Sequence, residues 1–282
     1  MRPDSNSATK QTAQPPNIWL LGVRPRTLTM AAVPVTVGAA LAWAANANPD
    51  WLTFIATLAC TVLIQIGTNL LNDAKDGERG ADGPDRIGPL RITGAGLAKP
   101  KQVRRAALAC FAAALLAGLY LVVVGGMPIL LIGLASLVSG YAYSSGRRPL
   151  SHGPFSEVYV IVFFGLIAVA GSYYLQSGQA PDRAVLLTGI AIGCYAAAVL
   201  LVNNLRDTAA DLRAGRRTLA GRLGTGATRI LYGFLVLVPF ALLAAAWGAQ
   251  MLGLAWLSLP VCLWLAPVSY THLTLPTIRR GG

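Results

Sequence analysis

Charge is scarce in this sequence. Only 12% of its 282 residues are Asp, Glu, Lys or Arg, against roughly a quarter in soluble domains. That shortage excludes an ordinary water-soluble domain. With 55% hydrophobic residues and a mean hydropathy of +0.57, the chain falls among polytopic membrane proteins. Runs such as Ala106–Val124 lack even a polar face, so no amphipathic soluble helix fits them. Cysteine is scarce as well. Cys60, Cys110, Cys194 and Cys262 each fall in a different apolar stretch, without CxxC spacing; this excludes a disulfide framework or zinc site and leaves small packing residues. No basic, apolar and small-residue leader pattern opens the chain, so no cleaved signal peptide is expected.

The net charge of +12 would suit a nucleic-acid binder, but the basic residues lie in connections between apolar runs rather than on one soluble face. No nucleic-acid partner is expected; the partner implied is the lipid bilayer. Hydropathy divides the chain into about eight spans, each near the roughly 20 residues a bilayer requires. They fall at about 27–45, 51–72, 106–124, 127–143, 157–176, 184–205, 227–248 and 251–268. Pro34 is expected to kink the first. Residues 1–16 read as a disordered cytoplasmic tail, 17–268 as the membrane domain, and 269–282 (Ser269 onward) as a non-native tail with a native C-terminus and one further span missing.

Orientation follows from the loops. Lys75, Arg79, Arg86, Arg91, Lys99, Lys101, Arg104 and Arg105 follow the second span, Arg147 and Arg148 the fourth, and Arg206, Arg213, Arg216, Arg217, Arg222 and Arg229 the sixth. The opposite connections hold Arg183 alone. An excess of Lys and Arg marks the cytoplasmic side, so these loops are expected in the cytoplasm of a bacterial inner membrane.

The few acids carry the functional signal. Asp73, Asp76, Glu78, Asp82 and Asp85 follow the second span and Asp207 and Asp211 the sixth, seven of the eleven acids in the chain. Carboxylates at a membrane boundary are costly unless paired or metal-bound, so this concentration calls for a function. Asn69, Asn72, Asp73 and Asp76 stand at i, i+3, i+4 and i+7, one stripe of a helix, and Asn203, Asp207 and Asp211 at i, i+4 and i+8, another. Setting Asn72 against Asn203 brings Asp76 against Asp207 and Gly80 against Asp211. The match suggests two four-span halves facing across one site. Facing carboxylates repel in a partly dry site unless a cation lies between them. Oxygen-only ligands favour Mg²⁺, which completes its shell with water and substrate phosphates, and neighbouring arginines suit bidentate phosphate binding. A lipid diphosphate is the substrate class these features share.

At these residues the sequence resembles the UbiA superfamily of intramembrane prenyltransferases. NDAKDGERGAD from Asn72 to Asp82 is similar to its first Asp-rich motif, and NNLRDTAADLRAGRRTLAGRLG from Asn203 to Gly224 to its second. DRIGPLR at Asp85–Arg91, GAGLAKPKQVRRA at Gly94–Ala106, YSSGRRPL at Tyr143–Leu150 and RTLAGRLG point to the branch acting on 1,4-dihydroxy-2-naphthoate in menaquinone synthesis. Gly80 departs from the wider family, where many members carry a third acid, and Asp82 is the substitute. The resemblance implies an all-α transmembrane bundle of two four-helix pseudo-repeats, with nine spans usual in the family. It also implies Mg²⁺-dependent transfer from a polyprenyl diphosphate to the naphthoate with decarboxylation. Asn72, Asp73, Asp76, Asp207 and Asp211 are then the expected metal set, the four acids being catalytic. Lys75, Arg79, Arg206, Arg213, Arg216 and Arg217 are the expected diphosphate contacts, and Asn69, Asn203 and Asp82 the supporting groups. Arg147, Arg148 and His152 are candidate substrate contacts, and Glu157 reads as a helix N-terminal charge.

Three other readings compete. A sister enzyme would use 4-hydroxybenzoate, homogentisate or a porphyrin-type acceptor. A secondary transporter would hold its cation at intramembrane acids, but near the midplane of broken helices, whereas the acids here lie at helix ends beside arginines. A lipid-binding protein without turnover would not require complete Asp pairs.

Overall fold

A computed structural model describes residues 17–45, 47–79, 90–145 and 149–248. The expected N-terminal tail, the eighth span and the tail from residue 269 lie outside the described residues. The rest is helix and short connections: α1 (Ile18–Val23), α2 (Pro25–Ala44), α3 (Trp51–Glu78), α4 (Pro100–Ser144), α5 (Ser156–Ser177), α6 (Arg183–Arg213) and α7 (Leu219–Trp247). Six of these, α2 to α7, are long and apolar enough to cross a membrane. Their outward faces carry side chains such as Val123, Leu116 and Ile230, all more than two-thirds exposed, as a lipid-facing surface requires.

Helix α4 has 45 residues, about 68 Å at ~1.5 Å per residue and more than twice a ~30 Å hydrocarbon core. It is broken at Gly126 (φ 65°, ψ −152°), a conformation open to glycine. Beyond the break the chain returns along itself, because a Cβ on Gly140 would lie 3.4 Å from the Phe111 ring. The expected third and fourth spans are therefore this hairpin, and the described residues make seven passes. Helix α2 continues unbroken through Pro34.

The two motif helices begin alike. Asp50 caps α3 by accepting from Thr53 N at 3.0 Å, and Asp182 caps α6 by accepting from Val185 N at 2.9 Å. Both then run past their apolar stretch to end in Glu78 and Arg213, carrying the acids beyond the span. Small residues set their packing. Gly165, in a π-helical stretch of α5 (Ile161–Ile167), lies against the backbone of Gly189 and Gly193 on α6. This is the close small-residue contact that membrane helices use in place of a hydrophobic driving force.

Candidate active site

A cavity of about 750 Å³ runs through the bundle. Its long body is apolar, walled by Leu115, Leu119, Val122, Ile129, Ile132 and Leu175. Its head is polar: Asn72 from α3, Asn203, Arg206, Asp207 and Asp211 from α6, Arg216 from the α6–α7 turn, and Arg24 and Arg91 from loops. Thus the ends of α3 and α6, Glu78 and Arg213, 135 residues apart in sequence, meet at one site as the internal match suggested.

Arg216 joins the two stripes. Its Nη2 donates to Asp76 Oδ1, and its Nη1 to Asp211 Oδ1 at 3.4 Å. Asp76 is completely buried, with Arg91 Nη2 on its other oxygen at 2.7 Å. Both guanidiniums line the cavity and Asp76 lies behind them. Asp207 takes a bidentate contact from Arg206, with Nε and Nη2 each at 2.8 Å. Asp76, Asp207 and Asp211 are therefore each in contact with a guanidinium of Arg91, Arg206 or Arg216, and Arg24 adds a fourth guanidinium to the head. Among the described residues no three acidic, cysteine or histidine side chains stand close enough to enclose a metal ion; the guanidinium of Arg216 lies between Asp76 and Asp211.

The other expected residues divide. Asp73 is not brought to the cavity: its buried carboxylate accepts from Ile92 N and Thr93 N, both at 3.0 Å. Asn69 lines the cavity but donates to Val23 O at 3.0 Å and Thr27 Oγ1 at 2.9 Å. It supports the α1–α2 corner, not the neighbouring acids. Lys75 is turned to Glu78, 2.8 Å away, and Arg213 and Arg217 are exposed outside the cavity wall. Arg79 donates to His152 Nε2 at 3.3 Å, while the His152 carbonyl accepts from Arg217 N at 2.9 Å. His152 thus ties the end of α3 to the α6–α7 turn beside the cavity. Asp82, Arg147 and Arg148 lie outside the described residues.

Several lining residues were not among the expected ones. Arg91 was visible only as one of many loop cations. Arg24 has φ 56°, the one described non-glycine residue with positive φ, a strain that accumulates at functional sites. Tyr143, Tyr159 and Phe163 form an aromatic wall, with Tyr159 stacked on Phe163 at 4.5 Å and tilted on Tyr143 at 5.6 Å. Glu157 is buried and accepts from Asn204 Nδ2 at 2.9 Å, so it orients a cavity amide beyond any helix-end role.

A helical membrane bundle with this charged head on an apolar chamber defines an integral membrane protein with a buried amphiphilic site. The model of the UbiA prenyltransferase family matches residues 31–279, and the chain belongs to that family of prenyltransferases. The match runs into the stretch expected to be non-native. The sequence is 40% identical to the 1,4-dihydroxy-2-naphthoate octaprenyltransferase of Mycobacterium tuberculosis over 214 residues, 76% of this chain and 72% of the relative. It is 37% identical to the enzyme of that name from Escherichia coli, over 77% of this chain and 71% of the relative. In fold it is similar to a UbiA homolog from Archaeoglobus fulgidus bound to GPP and Mg²⁺, with a TM-score of 0.66, 93% of this chain and 86% of that chain covered, and 14% identity.

Proposed function

We propose that this prenyltransferase moves a polyprenyl group from its diphosphate onto 1,4-dihydroxy-2-naphthoate with loss of carbon dioxide, giving demethylmenaquinol. The carrying observation is the cavity in which Asn72 and Arg91 from the first half and Asn203, Asp207, Asp211 and Arg216 from the second head an apolar chamber. The acceptor is inferred from relatives of that name at 34–40% identity. The orientation, with the head toward the cytoplasm of a bacterial inner membrane, is inferred from loop charge.

The donor set fits Mg²⁺. Asn72, Asn203, Asp76, Asp207 and Asp211 offer only oxygen or amide groups, the chemistry Mg²⁺ prefers. The ion pairs give the same answer: when Arg91, Arg206 or Arg216 turns to a diphosphate, the carboxylate it leaves requires a cation. These five residues would hold the metal, which when bound supplies positive charge against the departing diphosphate. The arginines bind and orient that diphosphate. As the allylic C–O bond breaks, its electron pair leaves with the diphosphate, and the apolar walls keep water from the allylic cation. The aromatic wall of Tyr143, Tyr159 and Phe163 offers π faces to the cation and to a flat acceptor ring. The ring carbon bearing the carboxylate then forms the new bond, and release of carbon dioxide returns an electron pair to the ring.

The test is transfer in detergent with naphthoate, a polyprenyl diphosphate and Mg²⁺. The expected result is a prenylated, decarboxylated quinol, absent with EDTA. Asp76→Asn and Asp207→Asn are expected to reduce turnover by about 10²–10³-fold or more while inserting normally. Near-normal rates in either variant would overturn the site, and product formed only with 4-hydroxybenzoate or homogentisate would overturn the acceptor.

A further inference from the structure

Asp73 stands between Asn72 and Asp76 in the first motif, yet its carboxylate is turned to a loop. It accepts from Ile92 N at 3.0 Å, Thr93 N at 3.0 Å and Thr93 Oγ1 at 2.5 Å, and its own carbonyl accepts from that hydroxyl at 2.8 Å. Three of roughly four acceptor positions on the carboxylate are thereby filled from one segment. One helical turn later the loop lies directly on Gly77, where a Cβ would come within 2.5 Å of Thr93 Oγ1 and 2.7 Å of Thr93 Cβ. The segment closes on itself through Ala95 N to Arg91 O and Leu97 N to Ile92 O, both 2.9 Å, and Ile92 is fully buried against Leu70, Leu71 and Ala74. The residue immediately before this anchored pair is Arg91, 4% exposed, on the cavity wall and 2.7 Å from Asp76.

We propose that Asp73 and Thr93 form a clamp that positions Arg91 at Asp76, so that Asp73 acts as a positioning residue and not as a ligand of the metal. The charge-assisted bonds of a buried carboxylate fix the 91–98 turn in register. Gly77 lets that turn approach α3, and the fixed turn sets where the Arg91 guanidinium lies at the polar head. Without the clamp Asp76 keeps its own place on α3 but loses the enforced arginine. Binding of an anionic diphosphate then weakens, while Asp76, freed of Arg91, holds a cation no less tightly than before. This inference rests on reading the polar head as the diphosphate site.

Two measurements on the full chain in detergent test it. The first is amide hydrogen exchange of residues 91–98 without metal or substrate. Asp73→Asn and Thr93→Val are expected to speed exchange there by about tenfold or more, and Thr93→Ser, which keeps the hydroxyl, to match the wild type. The second is binding of a non-hydrolysable polyprenyl diphosphate analogue, with Mg²⁺ titrated separately. Asp73→Asn, Thr93→Val and Arg91→Gln are each expected to weaken the analogue by about tenfold, and the Asp73→Asn, Thr93→Val pair to be no worse than either alone, since both act through one contact. Half-saturating Mg²⁺ should not rise more than about twofold above the wild type in the clamp variants, since Asp76 stays in place and loses only a competing arginine. The proposal is overturned if Asp73→Asn leaves exchange unchanged, or raises half-saturating Mg²⁺ about tenfold while Thr93→Val behaves as wild type. Failure of the wild type to bind the analogue would instead overturn the diphosphate reading, and the exchange result would still decide the clamp.

Discussion

His152 shows at the residue scale how the polar head governs protonation. Burial of the imidazole, then the guanidinium charges of Arg216 and Arg79, push its pKa down from 6.5 to about 4, with Asp76 opposing. It is therefore uncharged at neutral pH, in keeping with Nε2 accepting from Arg79. The unfolded chain takes up this proton near 6.5 and the folded chain only near 4, so stability is complete above 6.5 and declines as pH falls through that window. Melting in detergent is expected to show this slope, and His152→Gln to flatten it; equal slopes would show that the imidazole contributes nothing. What the sequence could not reveal at this scale has a geometric cause. At about 100° per residue, Asn69, Asn72, Asp73 and Asp76 cover one sector of α3 broad enough to face two neighbours. Asn72 takes the cavity edge, Asp76 lies behind the arginines that line it, and Asp73 takes the edge under the 91–98 turn. Periodicity gives the sector but not the boundary within it. Arg91 was hidden for a related reason: a loop arginine that folds inward has the same local sequence as one that stays in water.

Among the elements, the apolar runs were legible almost to their ends because length and hydropathy are what a bilayer selects. The break between the third and fourth spans was legible too, through Gly125, Gly126 and Pro128. The π-helical stretch Ile161–Ile167 was not, since it depends on how α5 meets α6. It brings Phe163, Phe164 and Ile167 to the cavity while Gly165 lies against the α6 backbone, and such stretches recur at functional sites. A Cβ on Gly165 would meet Gly193 Cα at 2.5 Å, whereas one on Gly233 of α7 would meet nothing within 4 Å. Gly165→Ala is therefore expected to destabilise the folded protein by about 1–3 kcal/mol through overpacking. Gly233→Ala should be neutral or slightly stabilising, because alanine is the better helix former. Thermal unfolding of the two variants in one detergent checks the contrast; equal melting would mean that the α5–α6 contact yields easily.

For the whole molecule the decisive property is the distance between charge and apolar depth. Both Thr57 and Asn72 of α3 line the cavity, so it extends about 22 Å along that helix at ~1.5 Å per residue, most of the way through a ~30 Å hydrocarbon core. A prenyl chain whose diphosphate sits at the head must run toward the opposite leaflet. There it meets Ile132, Ile167, Gly171 and Leu175, and a second apolar cavity of about 300 Å³ shares the first three of these residues. Gly171 is thus the point where a long tail either stops or continues. A Cβ there has Ile132 Cδ1 as its nearest neighbour, at 3.9 Å, so a larger side chain enters the cavity without disturbing the backbone. Gly171→Phe is expected to lower transfer from an octaprenyl donor by about tenfold or more, a loss typical of blocking a shaped apolar pocket, while a geranyl donor keeps its rate. Equal loss with both donors would mean damage to the bundle rather than to chain selection. Unchanged transfer with both would mean that the tail leaves the cavity before Gly171, between helices nearer the polar head.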